Sequence, residues 1–251
     1  MARAVKNPLQ LNICHLYPDL MDTYGDKGNI ITIQKRCQWR GIKTSLTQIS
    51  VGDKLEDKYD FYFFGGGQDK AQEFVGKDLQ TKAKLLKQTI EKGAVILSIC
   101  GGYQLLQNYF KTLDGIEIKG IGLFDSYTQG STTRMIGNLL IKSGLDLQTS
   151  ELIGFENHSG KTYLGKSLKP LGTVEKGFGN NGEDQTEGAI YKNAFGCYLH
   201  GSLLPKNPHF ADFLIIKALE RIYGKISLQP LDDSIEWQTH NSMVNRIRSA
   251  S

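Results

Sequence analysis

The chain has 251 residues, of which 39% are hydrophobic and 22% charged, a balance that excludes a disordered tail and a collagen-like repeat. No apolar run approaches the ~20 residues of a membrane-spanning helix. A net charge of +4 with no basic stripe and no interleaved aromatics gives no footprint for nucleic acid. The four cysteines, Cys14, Cys37, Cys100 and Cys197, are scattered, with no Cys-x-x-Cys pair and no apolar leader ahead of them. They read as free thiols in a reducing cytosol.

Residues 9–16 predict a short apolar strand ending at His15-Leu16-Tyr17-Pro18. A polar, glycine-bearing loop over 19–29 leads into a helix over 30–39 that Gly41 stops. Residues 43–50 and 59–64 predict two more strands, the second dense in aromatics and ending at Gly65-Gly66-Gly67. Leu79, Ala83, Leu86 and Ile90 fall on one helical stripe closed by Gly93. Residues 94–99 are apolar without alternation, as in a strand buried on both faces of a parallel sheet.

Strands alternating with helices predict an α/β domain with a doubly wound, mostly parallel central sheet. After Phe110 the texture changes. Residues 115–123, 134–142, 151–155, 171–174 and 188–199 predict added strands and hairpins on the same domain. Asn207-Pro208 reads as an N-cap and first residue of an apolar helix reaching Tyr223 and stopped by Gly224. The polar tail after 230 reads as mobile.

Ser98-Ile99-Cys100-Gly101-Gly102 follows the buried strand directly. A sharp strand-to-helix turn needs small residues two before and two after a nucleophile, and Ser98 and Gly102 fill those places. The turn would lift the Cys100 thiol above the sheet and set it at a helix N-terminus, which favours a thiolate. Cys14, Cys37 and Cys197 lie inside strand or helix patterns and read as buried structural thiols.

A nucleophilic thiol needs a base. Of His15, His158, His200, His209 and His240, His200 is the first candidate, because it ends a strand and can face Cys100 from the same sheet edge. His158 is the second; His209 and His240 read as surface residues. Backbone N–H groups from Gly65-Gly66-Gly67 and from Gly101 could form an oxyanion hole at the strand ends, where α/β sheets bind ligands.

Two motifs are discounted. Residues 160–167 match the phosphate-loop pattern, but no strand precedes them, and Pro170 and Gly172 forbid the helix that must follow. Residues 177–182 match a dinucleotide fingerprint, but Glu183-Asp184 would repel a pyrophosphate.

Together Cys100-Gly-Gly-Tyr-Gln104, Gly65-Gly-Gly-Gln-Asp69 and Tyr198-Leu-His200-Gly201 resemble class I glutamine amidotransferases of the cobyric-acid-synthase-like branch. The 17–29 loop, Gly154-Phe-Glu-Asn-His158 and Gly179-Asn-Asn181 extend the resemblance over residues 9–225. Residues 1–8 and 226–251 are left as terminal extensions.

The resemblance implies a three-layer, flavodoxin-like glutaminase in which Cys100 attacks the carboxamide of L-glutamine and His200 handles the proton. It implies that Gly66, Gly67 and Gly101 hold the oxyanion, and that Gln104 and Arg134 hold the glutamine. It also implies no cofactor or metal in this chain. A Mur-ligase-like partner subunit in a heterodimer would use ATP and Mg, receive the ammonia, and act on lipid II. The alternatives are the glutaminase of a corrinoid or nucleotide synthetase, another cysteine hydrolase or thiol protein, and a non-catalytic binding subunit. One departure stands out: Ser202 occupies the place where many relatives carry the acid that orients the histidine. That acid is therefore elsewhere in the chain, absent, or, as expected here, supplied by a partner.

Overall fold

The computed structural model describes residues 8–249. The chain runs β1 (Gln10–Leu16), α1 (Lys27–Trp39), β2 (Lys43–Ile49), β3 (Phe61–Phe64), α2 (Asp69–Glu91), β4 (Val95–Ile99) and α3 (Gly101–Leu105). It continues through β5 (Tyr109–Lys111), β6 (Glu117–Lys119), β7 (Ser126–Ser143), β8 (Glu151–Leu164), β9 (Gly172–Lys176), β10 (Thr186–Glu187), β11 (Ala189–Tyr191) and β12 (Ala194–Cys197). It closes with α4 (Leu203–Lys206), α5 (Pro208–Tyr223) and α6 (Ser234–Ser249).

The first sheet has the order β11-β12-β4-β3-β1-β2. All its pairings are parallel except that of β11 with β12. Period-two alternation sorts its buried strands between two cores. Phe61 and Phe63 face one core and Tyr62 and Phe64 the other; Leu97 and Ile96 divide the same way. Ile30, Ile33 and Cys37 of α1 and Phe210 and Leu214 of α5 cover the first face. Val75, Leu79, Leu86 and Ile90 of α2 cover the second. The result is the three-layer α/β/α architecture.

The added strands form a second sheet of their own, in the order β10-β9-β7-β5-β6 with β8 paired to β7. The β7–β8 hairpin is much longer than the sequence pattern suggests. Its register breaks between Gly130 and Met135, and Arg134 lies in that irregularity.

Three expectations are corrected. The tail is not a loose extension: residues 234–249 form α6, and Val244 and Ile247 bury against Leu140 and Ile153 of the hairpin. His209 and His240 are buried in the same junction, at 7% and 1% exposure, where each ring packs on Trp237. Buried residues at helical spacing, His240, Val244 and Ile247, fix this helix, and the polar residues between them hid the stripe. Asn207 holds the N-cap position of α5 with Pro208 at its start, as expected, but its side chain makes no capping bond; that amide instead brackets Ile153 of β8, accepting from its N–H and donating to its carbonyl.

Candidate active site

Four neighbouring strands, β12, β4, β3 and β1, release their chain at the same sheet edge. Cys100 follows β4, Gly65-Gly66-Gly67 follows β3, His200 follows β12, and the loop over 17–26 follows β1 and leads into α1, which starts three residues before the expected 30. Parallel strands place their C-terminal ends together, so residues more than a hundred positions apart meet there.

Cys100 adopts φ 49° and ψ −108°, a strained conformation for a residue with a side chain. Its N–H donates to the Cys197 carbonyl at 2.8 Å, and its carbonyl accepts from Gln104 N–H at 2.9 Å. The turn is packed too tightly for side chains on either glycine that follows. A Cβ on Gly102 would stand 2.5 Å from the Phe64 carbonyl oxygen, and one on Gly101 2.9 Å from Gly67 N. Cys100 is partly exposed, whereas Cys14, Cys37 and Cys197 are buried. Burial pushes the Cys37 thiol up to about 12 and raises those of Cys14 and Cys197 further. Only Cys100 combines access with a perched backbone.

His200 is fully buried. Its Nδ1 meets Asp26 Oδ1 at 3.2 Å, and its Nε2 has no other partner among the described residues. Burial opposes charge on the ring, but the Cys100 sulfur, followed by Asp26, outweighs it and lifts the imidazole to about 10. Both neighbours therefore favour the charged ring. Tyr24, held at φ 60°, lies edge-on to His200 at 5.0 Å between ring centroids.

The carboxylate that stands beside the His200 ring, where an acid from a partner was expected, is Asp26 of this chain. It is fully buried, and its Oδ2 accepts the Gly66 N–H at 2.9 Å. Ser202, standing where many relatives carry the acid, donates to the Gly25 carbonyl at 2.6 Å and so pins the loop that presents Asp26. The acid comes from the other end of the chain because that loop crosses the sheet edge beside β12. Nothing in local spacing could reveal it. The only sequence signal was the dense Gly25-Asp26-Lys27-Gly28-Asn29 run.

The same bond corrects the reading of Gly66 as an oxyanion donor. Its N–H is engaged by Asp26. Gly66 is needed for its missing side chain: a Cβ there would stand 2.8 Å from His200 Cε1 and 3.4 Å from Cys100 Cβ. The N–H groups of Gly67 and Gly101 have no acceptor among the described residues, and the two backbones stand against each other.

A cleft of about 500 Å³ opens over Cys100. Arg134, Asn157 and Tyr24 form one wall, linked by Arg134 Nε donating to Asn157 Oδ1 at 2.7 Å and Asn157 Nδ2 donating to Tyr24 Oη at 2.7 Å. Asp69 and Gln72 at the start of α2 line the cleft too. Gln104 also lines it, its amide donating to Tyr198 Oη at 3.1 Å.

His158, the second candidate base, stacks flat on Tyr198 with ring centroids 3.6 Å apart. Its Nδ1 lies 2.8 Å from the Gly160 carbonyl oxygen. It belongs to the cleft wall, not to the Cys100–His200 pair. Among the described residues no cluster of His, Cys, Asp or Glu could hold a metal ion.

The CobB/CobQ-like glutamine amidotransferase domain matches residues 12–208 of this chain. The chain belongs to that family. The subunit GatD of lipid II isoglutaminyl synthase (glutamine-hydrolyzing) from Staphylococcus aureus is 39% identical, over 94% of this chain and 96% of its own. GatD of Streptococcus pneumoniae is 42% identical, over 90% of this chain and 87% of its own. A solved glutamine amidotransferase shares the fold at 12% identity and a TM-score of 0.54, covering 82% of this chain and 98% of its own.

The two discounted motifs sit in other structural settings. A strand does lead into the first, since residues 160–164 are the end of β8, which the polar residues before it hid; but no helix follows before α4. Residues 177–182 wrap a carboxylate instead of a phosphate: the buried Glu156 accepts N–H bonds from Phe178 at 2.7 Å and Gly179 at 2.9 Å.

Proposed function

We propose that this chain is the glutaminase subunit of a lipid II isoglutaminyl synthase, and that it hydrolyses L-glutamine through a thioester on Cys100. The observation that carries the chemistry is the Cys100–His200–Asp26 line at a parallel sheet edge. The likeness to GatD over nearly the whole of both chains carries the pathway.

In this reading the His200–Asp26 pair holds Cys100 as a thiolate, which attacks the side-chain carboxamide of glutamine. The tetrahedral oxyanion takes N–H bonds from Gly67 and Gly101, and losing one such donor typically costs about 10²–10³ in rate. His200, protonated, gives its proton to the departing ammonia. The same ring then removes a proton from water as it attacks the thioester, releasing glutamate and restoring the thiolate. Arg134 faces the α-carboxylate of the substrate, and Gln104 packs beneath it. Asp26 holds the imidazole in one tautomer.

Ammonia is then delivered to a Mur-ligase-like subunit, MurT, in a heterodimer. MurT would bind ATP and Mg and activate the D-glutamate α-carboxylate of the lipid II stem peptide, giving D-isoglutamine. Such a glutaminase works in the cytoplasm, reaching the membrane through its lipid-linked substrate. No helix among the described residues is long and apolar enough to cross a membrane.

The purified chain, alone and with its partner, is assayed for ammonia release from L-glutamine, and the complex for ATP-dependent amidation of lipid II. Cys100→Ala is expected to abolish both. Ammonia release untouched by that change overturns the proposal. A complex that releases ammonia but amidates no lipid II keeps the glutaminase and rejects the pathway.

A further inference from the structure

Free L-glutamine carries two charges beside the carboxamide under attack: an α-carboxylate and an α-ammonium. The proposed reaction assigns a receptor to the first and none to the second. Arg134 and Asp69 both line the cleft over Cys100, Arg134 from the bulge of β7 and Asp69 from the first residue of α2.

Their charges act on one another. Partial burial and the nearby Asp114 disfavour the Asp69 carboxylate, and Arg134 favours it. Yet no ion pair joins Asp69 to Arg134 within 4 Å, or to any other cation among the described residues. Arg134, which lines the cleft, donates through Nε to Asn157, and its terminal nitrogens have no acceptor among the described residues.

Two opposite charges held apart in one cleft match a zwitterion better than they match each other. An arriving ammonium would answer both influences that disfavour the Asp69 carboxylate. We infer that Asp69 receives the α-ammonium of L-glutamine opposite Arg134, making the cleft selective for a free L-α-amino acid. This assignment rests on the glutaminase reading above. With the carboxamide at Cys100 it gives three attachment points, which fix the L configuration and exclude glutamine inside a peptide.

The competing role for Asp69 is purely structural, as an acid in the first turn of α2. Steady-state ammonia release by the complex separates the two. The substrates are L-glutamine and glutaramate, which keeps the carboxamide and carboxylate but lacks the amine. Asp69→Asn is expected to raise KM for L-glutamine about 10–100-fold, the range for a lost hydrogen bond to a charged group. It is expected to leave kcat within a few-fold, to leave kcat/KM for glutaramate unchanged, and to be rescued by Asp69→Glu.

An unchanged KM for L-glutamine against an active wild type overturns the Asp69 role and leaves the glutaminase standing. Equal losses with both compounds overturn it too, because a structural defect does not read the amine. Wild-type complex that releases no ammonia from L-glutamine overturns the glutaminase reading and the Asp69 role with it.

Discussion

Asp26 and His200 lie 174 positions apart in the chain and meet at 3.2 Å with both side chains fully buried. The other oxygen of the same carboxylate is fixed by the Gly66 N–H. One acid therefore sets the ring that faces the thiol and the glycine turn that must pass beside it.

Removing that charge tests the arrangement. Asp26→Asn is expected to lower kcat for ammonia release about 10²–10⁴-fold, by analogy with triad acids, with KM changed little. The loss should be the same with and without the partner, because the acid belongs to this chain. Full recovery of rate on adding the partner would place the orienting acid in trans.

Gly66→Ala isolates sterics from hydrogen bonding. The new methyl would press on His200 Cε1 at 2.8 Å while leaving the Gly66 N–H in place. We expect at least about a 10²-fold fall in kcat, the scale of a misplaced reacting group, with thermal unfolding close to wild type. A wild-type rate would show that His200 has room to move.

Glu187 predicts a pH dependence of stability. Its carboxyl is completely buried, and burial pushes it up to about 8 from 4.5, against the Tyr198 N–H it accepts. The folded state then holds a proton that the unfolded chain releases. Stability falls as pH rises from 4.5 to 8 and levels off above. Glu187→Gln should flatten this window, raising the melting temperature by several degrees at pH 9 and little at pH 5. Parallel melting curves for both proteins across that range would refute it.

The tail junction has the opposite sign. Burial lowers His209 to about 4 and lowers His240 as well. Unfolding lets both rings charge below 6.5, so this contribution is lost as pH falls from 6.5 toward 4. Hydrogen exchange in α6 should rise over that interval before exchange in β4. Exchange that rises in both elements together would show that the junction has no acid sensitivity of its own.

Arg36 ties the same tail to the core. It is 2% exposed and grips Asp212 and Asp233 at 2.6 and 2.7 Å. Arg36→Ala strands Asp233 and leaves Asp212 to Arg40 alone, and should cost about 3 kcal/mol in urea unfolding; a loss under about 1 kcal/mol would mark the network as surface-like.

Residues adjacent in the chain made much of this protein legible. The Cys100 turn depends on Ser98 and Gly102 beside it, and the buried strand on an unbroken apolar run, so both were visible as spacing. What joins distant segments was not. Asp26 became the acid because β1 and β12 release their chains at one sheet edge, and Gly66 changed role because Asp26 took its N–H. The tail gained a helix because the β7–β8 hairpin offered Leu140 and Ile153 to cover. Sequence spacing determines local geometry through backbone sterics and side-chain periodicity. Which charges and glycines meet across the fold is decided only when packing closes distances that the chain itself leaves free.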